Sequence, residues 1–91
     1  MKFTPEASEE QVQAVLDGLA MMPSAMDFIR RYEFGRDVGS LDVSYDLALV
    51  ADFDSEDDYR RYAANPDHVK VIEERIRPIL AHMARAQYVV G

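Results

Sequence analysis

The sequence predicts one α+β domain, built as an antiparallel four-stranded sheet with its helices on one face. A helix, two strands, a pair of helices and a last strand follow one another along the 91 residues, after a fragment of strand at the start. This length leaves no room for a second domain. The strands carry more apolar surface than these helices can cover, so a second copy of the chain is the expected partner.

The first helix is predicted from residue 9 to residue 22. Ser8 and Gln11 have the spacing of a capping box, and acidic residues follow at the positive end of the helix. Pro23 is expected to end the helix. Apolar residues recur at helical spacing and mark one buried stripe: Val12, Val15, Leu16, Leu19 and Met22.

Two strands are predicted next. Aromatic residues with rough alternation indicate a strand from Phe28 to Phe34, ended by Gly35, and residues 36–40 form a loop. The clearest strand runs from Val43 to Phe53. Its centre, residues 47–51, is apolar at the odd and at the even positions alike. Because alternate residues of a strand point to opposite faces, we expect both faces of the sheet to be covered there.

Capping signals define the rest of the chain. Ser55 begins a second, short helix, and Asn65 and Pro66 stop it and start a third helix. Pro78 is expected to bend or end that third helix. Residues 83–90 are predicted to close the chain as a strand. The order is that of a ferredoxin-like β-α-β-β-α-β plan, with one sheet face left for a second copy.

Composition excludes several classes of function. The chain has 17 acidic and 10 basic residues, a net charge of -7. This balance argues against a nucleic-acid backbone or an anionic lipid surface as partner. No apolar run is long enough to span a bilayer, and the N-terminal residues lack the apolar core of a signal peptide, so a cytoplasmic protein is expected. Without cysteine there is neither a disulfide framework nor a thiolate metal site.

Four segments in order resemble the stress-responsive A/B barrel family, also called the dimeric α/β barrel or Dabb family. They are residues 3–11, residues 33–37, residues 62–69 and the pair Arg77-Pro78. The resemblance covers essentially the whole chain and identifies residues 1–91 as a single domain of this kind. It implies a ferredoxin-like subunit and a dimer whose two sheets face each other as a barrel. Most members of the family have no assigned activity.

The chain departs from the family pattern in three places. Members usually have a longer first strand with a histidine, whereas this chain starts inside that strand, so the strand is expected to be truncated or completed upstream of Met1. The histidine that commonly precedes the proline is Asn65 here. A histidine on the central strand of one member is Leu47 here, which makes the expected pocket less polar.

Tyr62 and His68 are the candidate catalytic residues. They match the tyrosine and histidine of a plant member, olivetolic acid cyclase, which closes a linear polyketide by aldol condensation without a cofactor. His68 lies near the positive end of a helix, which favours the neutral imidazole that a general base needs. A helix break separates it from Tyr62, so both side chains can face one cavity. The alternative is that His68 fixes the turn and that Tyr62 is an amphipathic core residue.

Four apolar residues are candidates for a ligand pocket between helices and sheet, although they are equally typical of an ordinary core: Leu16, Leu19, Leu49 and Ile79. A cavity of about 300 Å³ or more beside Tyr62 and His68 would favour an enzyme, and a filled interior would favour a binding or structural role. No cofactor motif and no metal-ligand spacing is recognised. The acidic cluster at residues 52–58 is explained mainly by helix capping, and His82 is given no role.

Two hypotheses therefore stay open. The first is a dimeric Dabb protein that binds a small apolar or polyketide-like ligand, without an assigned activity. The second is a cofactor-independent cyclase or isomerase of the olivetolic acid cyclase type, with His68 as base and Tyr62 as hydrogen-bond donor. A haem-degrading or quinone-forming monooxygenase of similar fold fits the pattern less well. The sequence does not name a substrate.

Overall fold

The computed structural model describes residues 1–39 and 41–90. Its elements are β1 (Lys2–Phe3), α1 (Glu9–Ala20), α2 (Met22–Ala25), β2 (Ile29–Arg36), β3 (Leu47–Phe53), α3 (Glu56–Ala64), α4 (Pro66–Val71) and β4 (Leu80–His82). A π-helical segment (Ile72–Ile76) and a 3₁₀ turn (Arg77–Ile79) connect α4 to β4.

The strands form two antiparallel ladders that meet at the start of the chain. β2 pairs with β3, and β1 pairs with β4. The amino group of Met1 donates to the Leu47 carbonyl over 2.7 Å, and the Leu47 N–H donates back to the Met1 carbonyl over 3.2 Å. This reciprocal pair places β1 beside β3 and gives the spatial order β2-β3-β1-β4. The predicted α+β class and ferredoxin-like plan are confirmed.

The core lies between the sheet and the helices. Leu19 and Leu47 are only 1% and 2% exposed, whereas Val50, on the opposite face of β3, is 46% exposed. Within a single chain the helices therefore cover one face of the sheet, and the other face, which a second copy is expected to cover, is exposed. The core is completed by Phe3, Val12, Val15, Met22, Met26, Tyr62, Val71, Ile76 and Ile79.

The predicted helix starts are confirmed by their hydrogen bonds. The Ser8 hydroxyl accepts from the Gln11 N–H, and the Gln11 side chain accepts from the Ser8 N–H, which is the complete capping box. Ser55 caps α3 through its hydroxyl. The Asn65 side chain accepts from the Asp67 N–H at the start of α4 over 2.9 Å.

Two predicted element ends are wrong by a few residues. The first helix ends at Ala20 rather than Met22. Pro23 lies in the first turn of α2, where a backbone N–H would have no acceptor within the helix, so proline is tolerated there. β2 continues through Gly35 to Arg36, because these residues pair with Ala48 and Leu47 on β3.

The connection between β2 and β3 is longer than predicted. β3 begins at Leu47, not at Val43, because the Ser44 N–H donates to the Leu41 carbonyl in a turn and Val43 is 82% exposed. Alternation alone does not make a strand when no neighbouring strand is alongside. Of the loop predicted over residues 36–40, Arg36 belongs to β2, and Ser40 lies outside the described residues.

The last strand is also displaced. β4 covers Leu80–His82, and residues 83–90, predicted as a strand, pair with no neighbour in the part of the chain that the structure describes. The physical reason is that β1, the strand beside β4, supplies two residues for pairing. Tyr88, Val89 and Val90 are therefore exposed.

Pro78 was expected to bend or end the third helix, but regular α-helix already ends at Val71, and Pro78 lies inside the 3₁₀ turn. A proline clashes with the carbonyl four residues earlier, so regular α-helix cannot continue through it. The chain changes to π-helical turns at Ile72 and to a 3₁₀ turn at Arg77. Among the described residues, no helix has the length and apolar character needed to cross a membrane.

Candidate functional site

The structure brings Tyr62 and His68 together across the break between α3 and α4. Tyr62 lies near the end of α3, and His68 is the third residue of α4. Asn65 is in an extended conformation between the two helices, and the two rings pack against each other. The ring centroids are 4.0 Å apart with an interplanar angle of 40°. A continuous helix would point residues six positions apart in different directions, since six residues turn the helix by about 600°.

His68 has a defined tautomer. Its Nδ1 lies 3.3 Å from the Ala63 carbonyl oxygen, and because a carbonyl only accepts, a hydrogen bond between them needs the proton on Nδ1. The other nitrogen, Nε2, then carries the lone pair. Burial lowers the pKa of His68, the hydrogen bond to Ala63 opposes that shift, and the positive charge of Arg85 adds to it. The lowered pKa favours the neutral imidazole, and burial is its main cause.

Tyr32 is the residue that the sequence did not reveal as part of this site. It lies on β2 opposite Ala51 of β3, and its hydroxyl oxygen is 2.8 Å from that of Tyr62. The two rings are T-shaped, with centroids 5.9 Å apart. No signal in the sequence pointed to Tyr32, because its position beside Ala51 depends on the register of β2 against β3. We call Tyr32, Tyr62 and His68 the Tyr-Tyr-His cluster.

Aromatic side chains surround the cluster. Phe53 of β3 packs on Tyr62 with ring centroids 5.2 Å apart, and Tyr59 of α3 contacts Phe53 edge-to-face. Tyr62 is 5% exposed, whereas His68 is partly buried and can be reached from solvent. The site therefore combines a few polar atoms with apolar walls, which is typical of small-molecule sites.

Three of the four predicted pocket residues lie in or against the core. Leu19 and Ile79 belong to the buried core, and Leu16 packs against it. Leu49 is partly buried and lies on the helix face of β3, opposite Phe34 of β2. The structure does not place these residues on the wall of either surface pocket described below.

Two surface pockets lie elsewhere. One, of about 230 Å³, is polar and borders the Arg36–Glu9 ion pair. The other, of about 420 Å³, lies between the end of α1 and α4, beside Met21, Lys70 and Glu74. In the described chain neither of these two pockets is bordered by Tyr62 or His68.

The acidic segment at residues 52–58 is balanced by arginines. Glu56 and Asp57 both pair with Arg60, and Asp58 pairs with Arg61. Asp54 pairs with Arg30. Within residues 1–39 and 41–90 no group of three histidine, aspartate or glutamate side chains has the arrangement of a metal site.

The free energy of unfolding is expected to decrease as the pH falls through the ordinary histidine pKa of 6.5. The lowered pKa of His68 means that the unfolded chain binds a proton which the folded chain resists, so folded stability is lost toward acid pH. One such proton gives a slope of at most about 1.4 kcal/mol per pH unit. Urea unfolding between pH 5 and pH 8 measures it.

The control for this prediction is a comparison of two histidine variants. His68→Asn should flatten the pH dependence between pH 5 and pH 7, whereas His82→Asn, at an exposed position, should leave it unchanged. Equal slopes in the wild type and in His68→Asn would show that burial of His68 does not resist its protonation.

Solved structures with a similar fold indicate the class of protein to which this chain belongs. A dimeric ferredoxin-like protein of unknown function from Thermobifida fusca is 36% identical, with 89% of this chain and 76% of that one covered and a TM-score of 0.79. A dimeric protein of unknown function from Bacteroides fragilis, with a ferredoxin-like fold, is 25% identical over 80% of this chain and 77% of that one, with a TM-score of 0.65. This chain thus has the fold of small ferredoxin-like proteins of which some are dimers.

The family follows from a second comparison. The family model of the stress responsive A/B barrel domain, Dabb, matches residues 1–90, so the chain belongs to the Dabb family. A Dabb family protein from Mesorhizobium loti shares the fold, with a TM-score of 0.78 and 23% identity over 99% of this chain and 91% of that one. Comparison with curated proteins gives no match.

Proposed function

We propose that this Dabb protein is a cytoplasmic homodimer, one domain per chain, that binds a small apolar or polyketide-like ligand beside Tyr62 and His68. The observation that carries the proposal is the Tyr-Tyr-His cluster. It leaves one phenol hydrogen and one imidazole nitrogen without a partner in the described chain, within aromatic surroundings. Polar atoms placed in this way select a ligand that is mostly apolar but carries an oxygen function.

The ligand enters from the side on which His68 is partly exposed. Tyr62 donates its hydroxyl hydrogen to an oxygen of the ligand, and Nε2 of His68 accepts a proton or a hydrogen bond from it. The apolar part of the ligand packs on Phe53 and on the interior residues Leu16, Leu19, Leu49 and Ile79. Leu19 and Ile79 are almost fully buried, so the ligand first displaces the partly buried side chains of Leu16 and Leu49.

Catalysis is the second candidate, and the tautomer of His68 favours it. With the Nδ1 proton bound to Ala63, a neutral His68 can remove a proton from a carbon next to a carbonyl group. Tyr62 would then donate to the enolate oxygen that forms. His68→Ala would abolish the turnover of such an enzyme and leave melting nearly unchanged. Binding without turnover ranks first because most members of the Dabb family have no assigned activity.

Titration with 5-pentylresorcinol tests the binding proposal, because this probe joins phenol groups to an apolar chain. The imidazole resonances of His68 are expected to shift in NMR spectra. Tyr62→Phe and His68→Gln should each weaken binding by roughly three- to tenfold, the effect of one hydrogen bond. His82→Gln is the matched control and should bind as the wild type does. Binding that is unchanged in both site variants would refute the proposed site.

A further inference from the structure

We propose that Tyr32 is a positioning residue for the Tyr62–His68 site: its hydroxyl donates to the Tyr62 oxygen and leaves the Tyr62 hydrogen for the ligand. This inference rests on the function proposed above, and it adds the group that orients the Tyr62 hydroxyl toward the ligand. Tyr32 itself does not contact the ligand.

The geometry that carries this inference is a bridge from sheet to helix. Tyr32 lies in the middle of β2 and is fixed by its cross-strand neighbour Ala51. Its ring also packs edge-to-face on Phe34, with centroids 6.1 Å apart. The hydroxyl of Tyr32 reaches the Tyr62 hydroxyl of α3 over 2.8 Å, a normal length for a bond between two hydroxyl groups. A hydroxyl on the sheet thus holds the oxygen of Tyr62 through a direct hydrogen bond.

Two hydroxyl groups that share one hydrogen bond retain one spare hydrogen. Each phenol has a single hydrogen, so the bond uses one and leaves the other for a third group. If Tyr62 donated to Tyr32, the spare hydrogen would lie on Tyr32, away from His68. If Tyr32 donates, the spare hydrogen lies on Tyr62, whose ring stacks on His68.

The pKa shifts of the two phenols agree with donation by Tyr32. Burial raises the pKa of Tyr62 above its ordinary value, the hydrogen bond with Tyr32 opposes that rise, and Tyr59 and Arg85 make smaller contributions of opposite sign. A hydrogen bond donated to a phenol oxygen stabilises the anionic form and lowers the pKa, whereas a bond that the phenol itself donates raises it. The pKa of Tyr32 is raised by burial first and then by the bond to Tyr62, which is the effect expected for the donor.

The direction of the bond can be measured in the ligand-free protein. Tyr32→Phe removes the hydroxyl and keeps the ring, so the packing against Phe34 remains. With ¹³C at the ζ carbon of tyrosine, the pKa of Tyr62 is expected to rise in this variant, because its anionic form loses a donated hydrogen bond. A pKa of Tyr62 that stays the same or falls would overturn the inference.

Binding of 5-pentylresorcinol gives the second readout. Tyr32→Phe is expected to weaken binding roughly three- to tenfold, as Tyr62→Phe does, because the Tyr62 hydroxyl is no longer oriented. Tyr45→Phe is the matched control, since Tyr45 is 41% exposed in the loop between β2 and β3. Its affinity should equal that of the wild type. Wild-type affinity in Tyr32→Phe would contradict the positioning role.

The two proposals fail in different ways. If the wild type does not bind the probe, the proposed function is contradicted, while the Tyr62 titration still decides the direction of the bond. If Tyr32→Phe does not fold, Tyr62→Phe supplies the reciprocal measurement. The pKa of Tyr32 should then fall, because that residue loses the acceptor of its hydrogen. An unchanged pKa of Tyr32 in that variant would overturn the inference.

Discussion

Gly18→Ala is expected to lower the free energy of unfolding by about 1–3 kcal/mol, the usual cost of overpacking a core. A Cβ at this position of α1 would lie 2.9 Å and 3.2 Å from the two Cγ atoms of Val71 on α4. Val71 is buried, and both of its methyl groups face the glycine, so rotation does not relieve the contact. Alanine favours a helix over glycine by up to about 1 kcal/mol, but this gain is smaller than the clash.

Arg75 makes the contact harder to relieve. Its Cδ would lie 3.0 Å from the new Cβ, and its guanidinium donates to the Ala14 carbonyl over 2.8 Å, so moving the side chain would break that bond. Urea denaturation followed by circular dichroism measures the change. Gly35→Ala is the matched control, because nothing lies within 4 Å of its added Cβ. A Gly18→Ala protein as stable as the wild type would mean that α1 and α4 separate without cost.

Val50→Glu is expected to convert the proposed dimer into monomers. Val50 is exposed at the centre of the open sheet face, opposite Glu33 on β2 and next but one to Asp52. A second carboxylate there would be repelled by Glu33 and would lose its hydration when a partner covers it. A cost of that kind raises the dissociation constant by roughly a hundredfold or more. Sedimentation over a range of concentrations measures it.

The control for this prediction lies on the helix layer. Val69 of α4 is 41% exposed, and Val69→Glu should leave the dimer intact. A dimer that persists in Val50→Glu would place the interface elsewhere, for example on the exposed apolar residues of the loop between β2 and β3. A wild type that stays monomeric at micromolar concentration would contradict the dimer itself.

The sequence predicted those parts of the fold that depend on neighbours along the chain. The capping residues Ser8, Ser55 and Asn65 each set a helix start, because their hydrogen bonds are to residues two or three positions away. Strand boundaries depend on partners far along the chain. The alternating residues 83–90 therefore resembled a strand, although a single described chain gives them no partner.

The same distinction explains what was predicted of the site. The stacking of Tyr62 on His68 follows from a local break at Asn65, and the sequence indicated it. The contribution of Tyr32 depends on the register of β2 against β3 and on how α3 lies over that hairpin. Neither can be deduced from residue spacing, so Tyr32 was not recognised before the structure.

The pairing pattern also sets an order in which the chain can fold. The β2–β3 ladder joins residues close together in sequence, so closing that loop costs little conformational entropy. The pairing of Lys2 with His82 joins residues far apart in sequence, so closing that loop costs more conformational entropy. We therefore expect the hairpin to form first and β1 to pair with β4 last.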